Sequence, residues 1–350
     1  MKKIGLVLLL LTMIASVAGG EETFFLGDQP VEEPVVVVAE DTWPRKIVVT
    51  VGGDCTIGCN DYQRTHPGGF TAVIDEKGYA WPFSELLQVF AKDDLTLVNF
   101  EGVLTEHDDR TEKLFNFKGP MEYAQILTLG SVESVNLANN HTLDYGEKGF
   151  ADTKAALDAQ GIIYCAPGEP AIYETRGVKI GLIGNTFPYR DGKRDISQDV
   201  RALREAGCQI IIASFHWGSE YRTDFTGEQR KIGRAAVNAG ADVVVGHHPH
   251  IIQGIEKYED TYILYSLGNL VFGGNLDPDV RDTFIAQLTF TVHEDGTAEG
   301  PELKLFPMLT TEMKKDTDYR PVFVEGEAYE RILNVILRRS SNMKGFENPK

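Results

Sequence analysis

The sequence is poor in positive charge. Its 34 Lys and Arg face 52 Asp and Glu, for a formal net charge of −18. Such a surface repels phosphate backbones and anionic lipid heads, which argues against nucleic acid as a partner. An anionic substrate would need a local positive device, such as a metal ion. Cysteine is scarce too: Cys55, Cys59, Cys165 and Cys208 are the whole set. None form a CxxC pair, so no thiolate zinc pattern is encoded. Export would permit disulfides, and four thiols allow three pairings among which the sequence does not choose. Cys55 and Cys59 would suit a small loop closure. Long apolar runs are also lacking. The run from Ile4 to Val17 is shorter than the ~20 residues of a membrane-spanning helix, and no later segment is apolar enough to span. Internal repeats and low-complexity segments are absent.

The N-terminus has the layout of a signal peptide over residues 1–18. Lys2 and Lys3 precede the apolar run, and Ser16-Val17-Ala18 puts small residues at the cleavage position. The expected location is extracytoplasmic, secreted if the signal is cleaved and membrane-anchored if it is retained. With no Cys near the cleavage position, a lipoprotein anchor is not expected. Residues 19–45, acidic and proline-containing, read as a linker whose Val35–Val38 run is a strand candidate.

One domain is expected over residues 46–345. Short apolar strands alternate with helical stretches, at 47–51, 95–98, 134–137, 179–183, 210–213, 242–245 and 262–265. That order implies a layered α/β fold. In WPFSELLQVFAKDD, Phe83, Leu86, Leu87 and Phe90 share one helical face. Helices ending at Gly161 and Gly240 are expected, with a final one over 328–340. From Phe284 to Val292 the period changes to two, so an antiparallel strand pair should close the domain, turning near Gly296.

Five of the apolar strands deliver polar residues just past their last apolar position. IVVTVGGD ends in Asp54 and LTLVNFEG in Asn99 and Glu101. VESVNLANNH ends in Asn139, Asn140 and His141. IIIASFHWG ends in His216, and ADVVVGHHPH in His247, His248 and His250. Strand tips of α/β sheets converge on a crevice where ligands bind. Oxygen and nitrogen donors of this mixture suit Zn, Mn or Fe, singly or as a pair bridged by a carboxylate. Taken singly, each has a plainer explanation: Asp54 as a helix cap, the Asn-Asn-His as a turn, His216 as a packed core residue.

The ordered motifs GGDCTIG, NFEGVL, NNHTLDYG, FHWGSEY, GHHPHIIQG and YSLGNLVF resemble those of the CapA/PgsA family. That family comprises bacterial capsule or poly-γ-glutamate synthesis proteins with a calcineurin-like metallophosphatase fold. The resemblance runs from about Lys46 to Phe272. It implies a layered metallophosphatase-like α/β sandwich. It also implies metal ligands at Asp54, Glu101 (bridging), Asn140, His216, His248 and His250, with His141 as general acid. Asp144 is placed to orient the His141 ring and keep it cationic. Thr56 stands where metallophosphatases carry a His, and Glu101 where they carry an Asp. The third histidine leaves His247 open as a substitute for His248.

The expected function is therefore that of an exported CapA-type protein with a metal-dependent hydrolase-like site, acting on a phosphoester or γ-glutamyl-type bond. The partners implied are an anionic polymer or small-molecule substrate and the membrane-associated capsule synthesis machinery. Two alternatives stand beside this reading. One is a non-catalytic polymer-binding assembly or export factor with a structural metal. The other is a general secreted phosphoesterase.

Overall fold

Ile210 and Ile212 face one core, while Ile211 and Ala213 between and beyond them face another. Val243 and Val245 diverge from Val244 in the same way. A strand apolar on both faces must be covered on both sides, and that requirement sets the architecture. The computed structural model describes residues 42–187 and 196–349, which lie within one unit, Asp41–Lys350. The expected signal peptide, the Val35–Val38 strand and most of the linker lie outside the described residues.

The strands in chain order begin with β1 (Arg45–Thr56), β2 (Leu95–Phe100), β3 (Val103–Leu104), β4 (Lys118–Gly119), β5 (Ser134–Asn136) and β6 (Ile163–Cys165). Then come β7 (Ala171–Thr175), β8 (Val178–Thr186), β9 (Ile210–His216), β10 (Val243–His247), β11 (Ile255–Tyr258) and β12 (Thr261–Leu264). The last four are β13 (Asn269–Phe272), β14 (Asp282–Val292), β15 (Ala298–Leu309) and β16 (Val322–Phe323). One sheet runs β16-β15-β14-β1-β2-β5-β6, with β13 also pairing with β1. The second runs β11-β12-β10-β9-β8-β7. Val49, Val51 and Leu97 of the first share a core with Ile180, Ile212 and Val245 of the second. The outer face of the first sheet is covered by the helices Phe70–Lys77, Ala124–Leu129 and Gly146–Gln160, through Phe70, Ile126 and Leu157. Helices Ile196–Glu205 and Gly227–Ala239 cover the second through Val200, Leu203 and Ala236.

The layered α/β sandwich read from the sequence is the fold observed. The antiparallel pair at its end is β14 with β15, whose connection is closed by His293 N–H donating to the Thr297 carbonyl. Glycine stops act as expected: Gly161 and Gly240 are left-handed at φ 69° and 108°. The helix expected around Phe83 is shorter, Leu87–Phe90. Pro82 brings no N–H, and the preceding residues form tight turns, Ser84 N–H to the Trp81 carbonyl and Leu86 N–H to that of Phe83. Ser84 donates its hydroxyl to Trp81 as well and caps no helix. All four cysteines are buried free thiols, so no bridge cross-links the described fold. Burial pushes the Cys165 thiol up to about 12, which leaves it unreactive.

One glycine decides where the first strand delivers its carboxylate. The β1–β2 register slips between Val51 and Asp54, across Gly52-Gly53. A Cβ on Gly53 would lie 1.9 Å from the Gly268 carbonyl oxygen, and that same oxygen accepts the Asp54 N–H at 3.0 Å. Gly53→Ala is expected to cost about 3 kcal/mol through forced separation of these backbones, read as a lower denaturant midpoint. An unchanged midpoint would show that the contact is not tight.

Candidate metal centre

The polar strand tips come from two sheets, not one. In the first, parallel pairing sets Asp54 beside Asn99 and Asn99 beside Asn136. In the second, it sets His247 beside His216. The cleft between the two sets of C-terminal ends is where the donors meet. Asp54, Glu101, His216, His247 and His250 are all buried, and His248 is half-buried.

Glu101 Oε1 is the hub. It lies 3.7 Å from His216 Nε2, 3.7 Å from His250 Nε2 and 3.9 Å from His141 Nε2. These spacings are too long for hydrogen bonds. They fit atoms that share an ion, since two donors each about 2.1 Å from one metal lie up to about 4.2 Å apart. Two triads share this carboxylate: Asp54, Glu101 and His216 form one, and Glu101, His248 and His250 the other, each with ligand atoms within 4.8 Å of one another. Glu101 Oε1, His216 Nε2, His248 Nδ1 and both ring nitrogens of His247 are buried without a hydrogen-bond partner. Buried polar atoms left unpaired cost free energy, and ions at the two triads would satisfy those of Glu101, His216 and His248, though His247 belongs to neither triad. The donor set therefore fits a divalent metal.

Surrounding groups hold the donors in place. Asn99 Nδ2 donates to Asp54 Oδ1 at 2.8 Å and approaches His216 Nδ1 at 3.4 Å. Asn269 Oδ1 sits 2.9 Å from His250 Nδ1, which turns the other ring nitrogen toward Glu101. Thr56 takes no metal: its hydroxyl donates to the Glu101 carbonyl at 2.9 Å and fixes that turn. His248 and His250 adopt φ of 96° and 58°, a region costing non-glycine residues roughly 1–3 kcal/mol each and met chiefly at functional sites.

A second polar cluster lies alongside. His141 Nδ1 is 2.7 Å from Asp144 Oδ2, which also accepts the Phe117 N–H at 2.6 Å. Lys113 Nζ pairs with Asp144 Oδ1 at 2.5 Å. The expectation that Asp144 keeps His141 cationic is corrected here: burial draws the imidazole below its ordinary value despite the carboxylate. The charged ring is thus disfavoured, and with Nδ1 held by the Asp144 carboxylate the neutral ring presents Nε2 as a proton acceptor.

Asn140 is not brought into the cluster. It is exposed, and its carbonyl accepts from Lys113 Nζ at 2.9 Å. Asn99, Asn136 and Asn139 are among the buried carboxamides. Asn139 Nδ2 donates to the Phe100 carbonyl, and its Oδ1 accepts the His141 N–H. In a tight Asn-Asn-His turn only one of two adjacent side chains can point inward, and here it is the first. Asn269 and Lys113 were assigned no role from the sequence. Asn269 opens β13, unlike the donors that close their strands, and Lys113 lies in a polar loop, so neither gives the strand-tip signal.

Burial pushes the Glu101 carboxyl up to about 8, against the pull of His250. For His250, burial opposes protonation, but Glu101 and Asp54 outweigh it and raise it to about 10. Metals take these ligands deprotonated, so uptake releases protons. Affinity for a divalent ion is expected to climb with pH through about 8 and on toward about 10, as Glu101 and then His250 give up their protons. The metal-free fold should move the other way. Its Glu101 value lies above the ordinary 4.5, so this group's contribution is present at low pH and is lost as pH rises through about 8. Calorimetric titration in buffers of different ionisation enthalpy, with melting curves of both forms, measures this. Metal uptake without proton release would contradict it.

The family model described as "Bacterial capsule synthesis protein PGA_cap" matches residues 48–274, a span that contains every donor named above. The PGA biosynthesis protein CapA of Bacillus subtilis (strain 168) is 29% identical over 268 residues, 70% of this chain and 70% of that one. The capsule biosynthesis protein CapA of Bacillus anthracis is 26% identical over 282 residues, 73% of this chain and 66% of that one. A crystal structure of a hypothetical protein from Thermus thermophilus aligns with a TM-score of 0.46 at 13% identity, over 75% of this chain and 99% of that chain. With the family model matched over most of the chain and across both sheets of the centre, the chain belongs to the PGA_cap family of bacterial capsule synthesis proteins.

Proposed function

We propose that the chain is an extracytoplasmic, metal-dependent hydrolase of capsule or poly-γ-glutamate synthesis, acting on a phosphoester or γ-glutamyl-type bond. The observation that carries this is Glu101 Oε1, unpaired and facing three imidazole Nε2 atoms, one of them held by its own carboxylate. A bound divalent ion, Zn, Mn or Fe, would supply Lewis acidity and positive charge for an anionic substrate in an acidic protein. The chain supplies the rest. Asp54, Glu101, His216, His248 and His250 would hold the metal. Asp144 fixes the His141 ring through Nδ1, leaving Nε2 turned to the centre to take a proton from water and then pass it to the leaving group. Lys113 and the Phe117 N–H keep Asp144 in place.

The B. subtilis relative's name, PGA biosynthesis protein CapA, supports association with the polymer synthesis machinery. The Lys2-Lys3 start and the apolar run to Val17 support export. Mass spectrometry of protein from cells is expected to find an N-terminus after Ala18, and an intact Met1 in the cytoplasm would refute export. For the activity, protein reconstituted with each metal is assayed on phosphoester and γ-glutamyl substrates. Turnover with at least one metal, abolished by a chelator, is expected. Metal bound with no turnover on either bond would favour a binding factor with a structural ion.

A further inference from the structure

Phe115 and Leu114 stand out beside the centre: Phe115 is 50% exposed and Leu114 87%. The Phe115 ring stacks on Phe117 with centroids 6.4 Å apart and planes 11° from parallel. Phe117 in turn lies 4.4 Å from the His141 ring and 5.8 Å from Phe272, which sits 5.0 Å from His250. An aromatic track thus starts between the acid–base histidine and a metal-binding histidine and ends on a half-exposed ring. An apolar ring exposed on a loop contributes nothing to a core, and aromatic faces favour stacked partners.

We infer that Phe115 is a specificity-determining residue for a substrate whose leaving group carries a flat ring. The inference rests on the hydrolase reading above, with the phosphoester as its bond. The leaving atom must come to His141 Nε2, and the body attached to it then has Phe117 at its side and the open face of Phe115 beyond. A flat ring covers that face, while a short alkyl chain or a hydrated polar chain does not. A stack of this kind is worth roughly three- to tenfold in affinity, and displaced water adds to it.

The test uses non-hydrolysable phosphonates on the full chain loaded with Mn, read by calorimetry. 3-Phenylpropylphosphonate is expected to bind about tenfold tighter than propylphosphonate, and 3-cyclohexylpropylphosphonate to fall between them. Phe115→Ser should bring the phenyl compound down to the propyl one and leave propylphosphonate binding unchanged. Phe115→Tyr should keep the preference. Equal binding of phenyl and propyl compounds, a gap that survives in Phe115→Ser, or cyclohexyl binding as tight as phenyl each overturns the inference while leaving the metal site's affinity for phosphonate intact. If the Mn-loaded parent binds none of the three, the phosphoester reading falls and this inference with it.

Discussion

Replacing Glu101 by glutamine is expected to abolish metal binding and, in the same protein, to make the metal-free fold harder to unfold above about pH 8. The two effects share one cause. The carboxyl is fully buried, and burial pushes it up to about 8. Its oxygen Oε1 has no hydrogen-bond partner. Without metal and above about pH 8 it is a poorly compensated charge, and an amide of the same shape removes that cost, on the order of 1–3 kcal/mol; at lower pH the carboxyl is already neutral and little gain is expected. With metal, it is the one ligand common to both triads. Loss of a group that merely supports a ligand already costs about 10–100-fold in affinity, so loss of the shared ligand should cost at least about 100-fold. Elemental analysis and denaturant unfolding of the chelated protein read the two arms. A variant that keeps its metal, or unfolds more easily without it, would show Glu101 to be a structural anchor for the histidines.

His141→Ala is expected to keep its metal and lose about 10²–10⁴-fold in turnover. His216→Ala should lose both. The two imidazoles lie at similar distances from Glu101 Oε1, 3.9 and 3.7 Å, so distance alone does not separate them. Their other nitrogens do. His216 Nδ1 faces the Asn99 amide, whereas His141 Nδ1 is held by Asp144, itself locked by Lys113 and the Phe117 N–H. Asp144→Asn should therefore follow His141→Ala, with a smaller loss because the ring stays in place. Metal content and turnover measured together decide the matter. His141→Ala turning over as fast as the parent would remove the ring from the chemistry.

Much of this centre was legible because strand chemistry and ligand chemistry use different residues. In VVVGHHPH the apolar run ends where the donors begin, and the same holds at Asp54, Glu101 and His216. Which of two adjacent residues faces inward was not legible. Asn139 and Asn140 are chemically identical, and the choice is made by the turn, where the Asn139 Oδ1 accepts the His141 N–H. The split of the strand tips between two sheets was also hidden, because period-2 patterns show that a strand is buried without showing which neighbour it pairs with. The helix around Phe83 kept its apolar face but not its length: Phe83, Leu86 and Phe90 are all buried although only Leu87–Phe90 is helical.

The division of donors between two sheets fixes when in the life of the chain a metal is chosen. Asp54 and Glu101 come from the first strands, and His216, His248 and His250 from much later ones. His248 and Asp54, whose atoms approach to 3.3 Å, are 194 positions apart. Each triad joins Glu101 to a histidine from residue 216 or later, so a chain that is still being made has no complete triad with which to hold an ion. Contacts of such long range form late in folding, and binding free energy becomes available only once they have formed. Were an ion taken up here, its identity would be set by the surroundings in which the last strand docks, and the same sequence finished in two different ionic surroundings would be expected to carry two different metals.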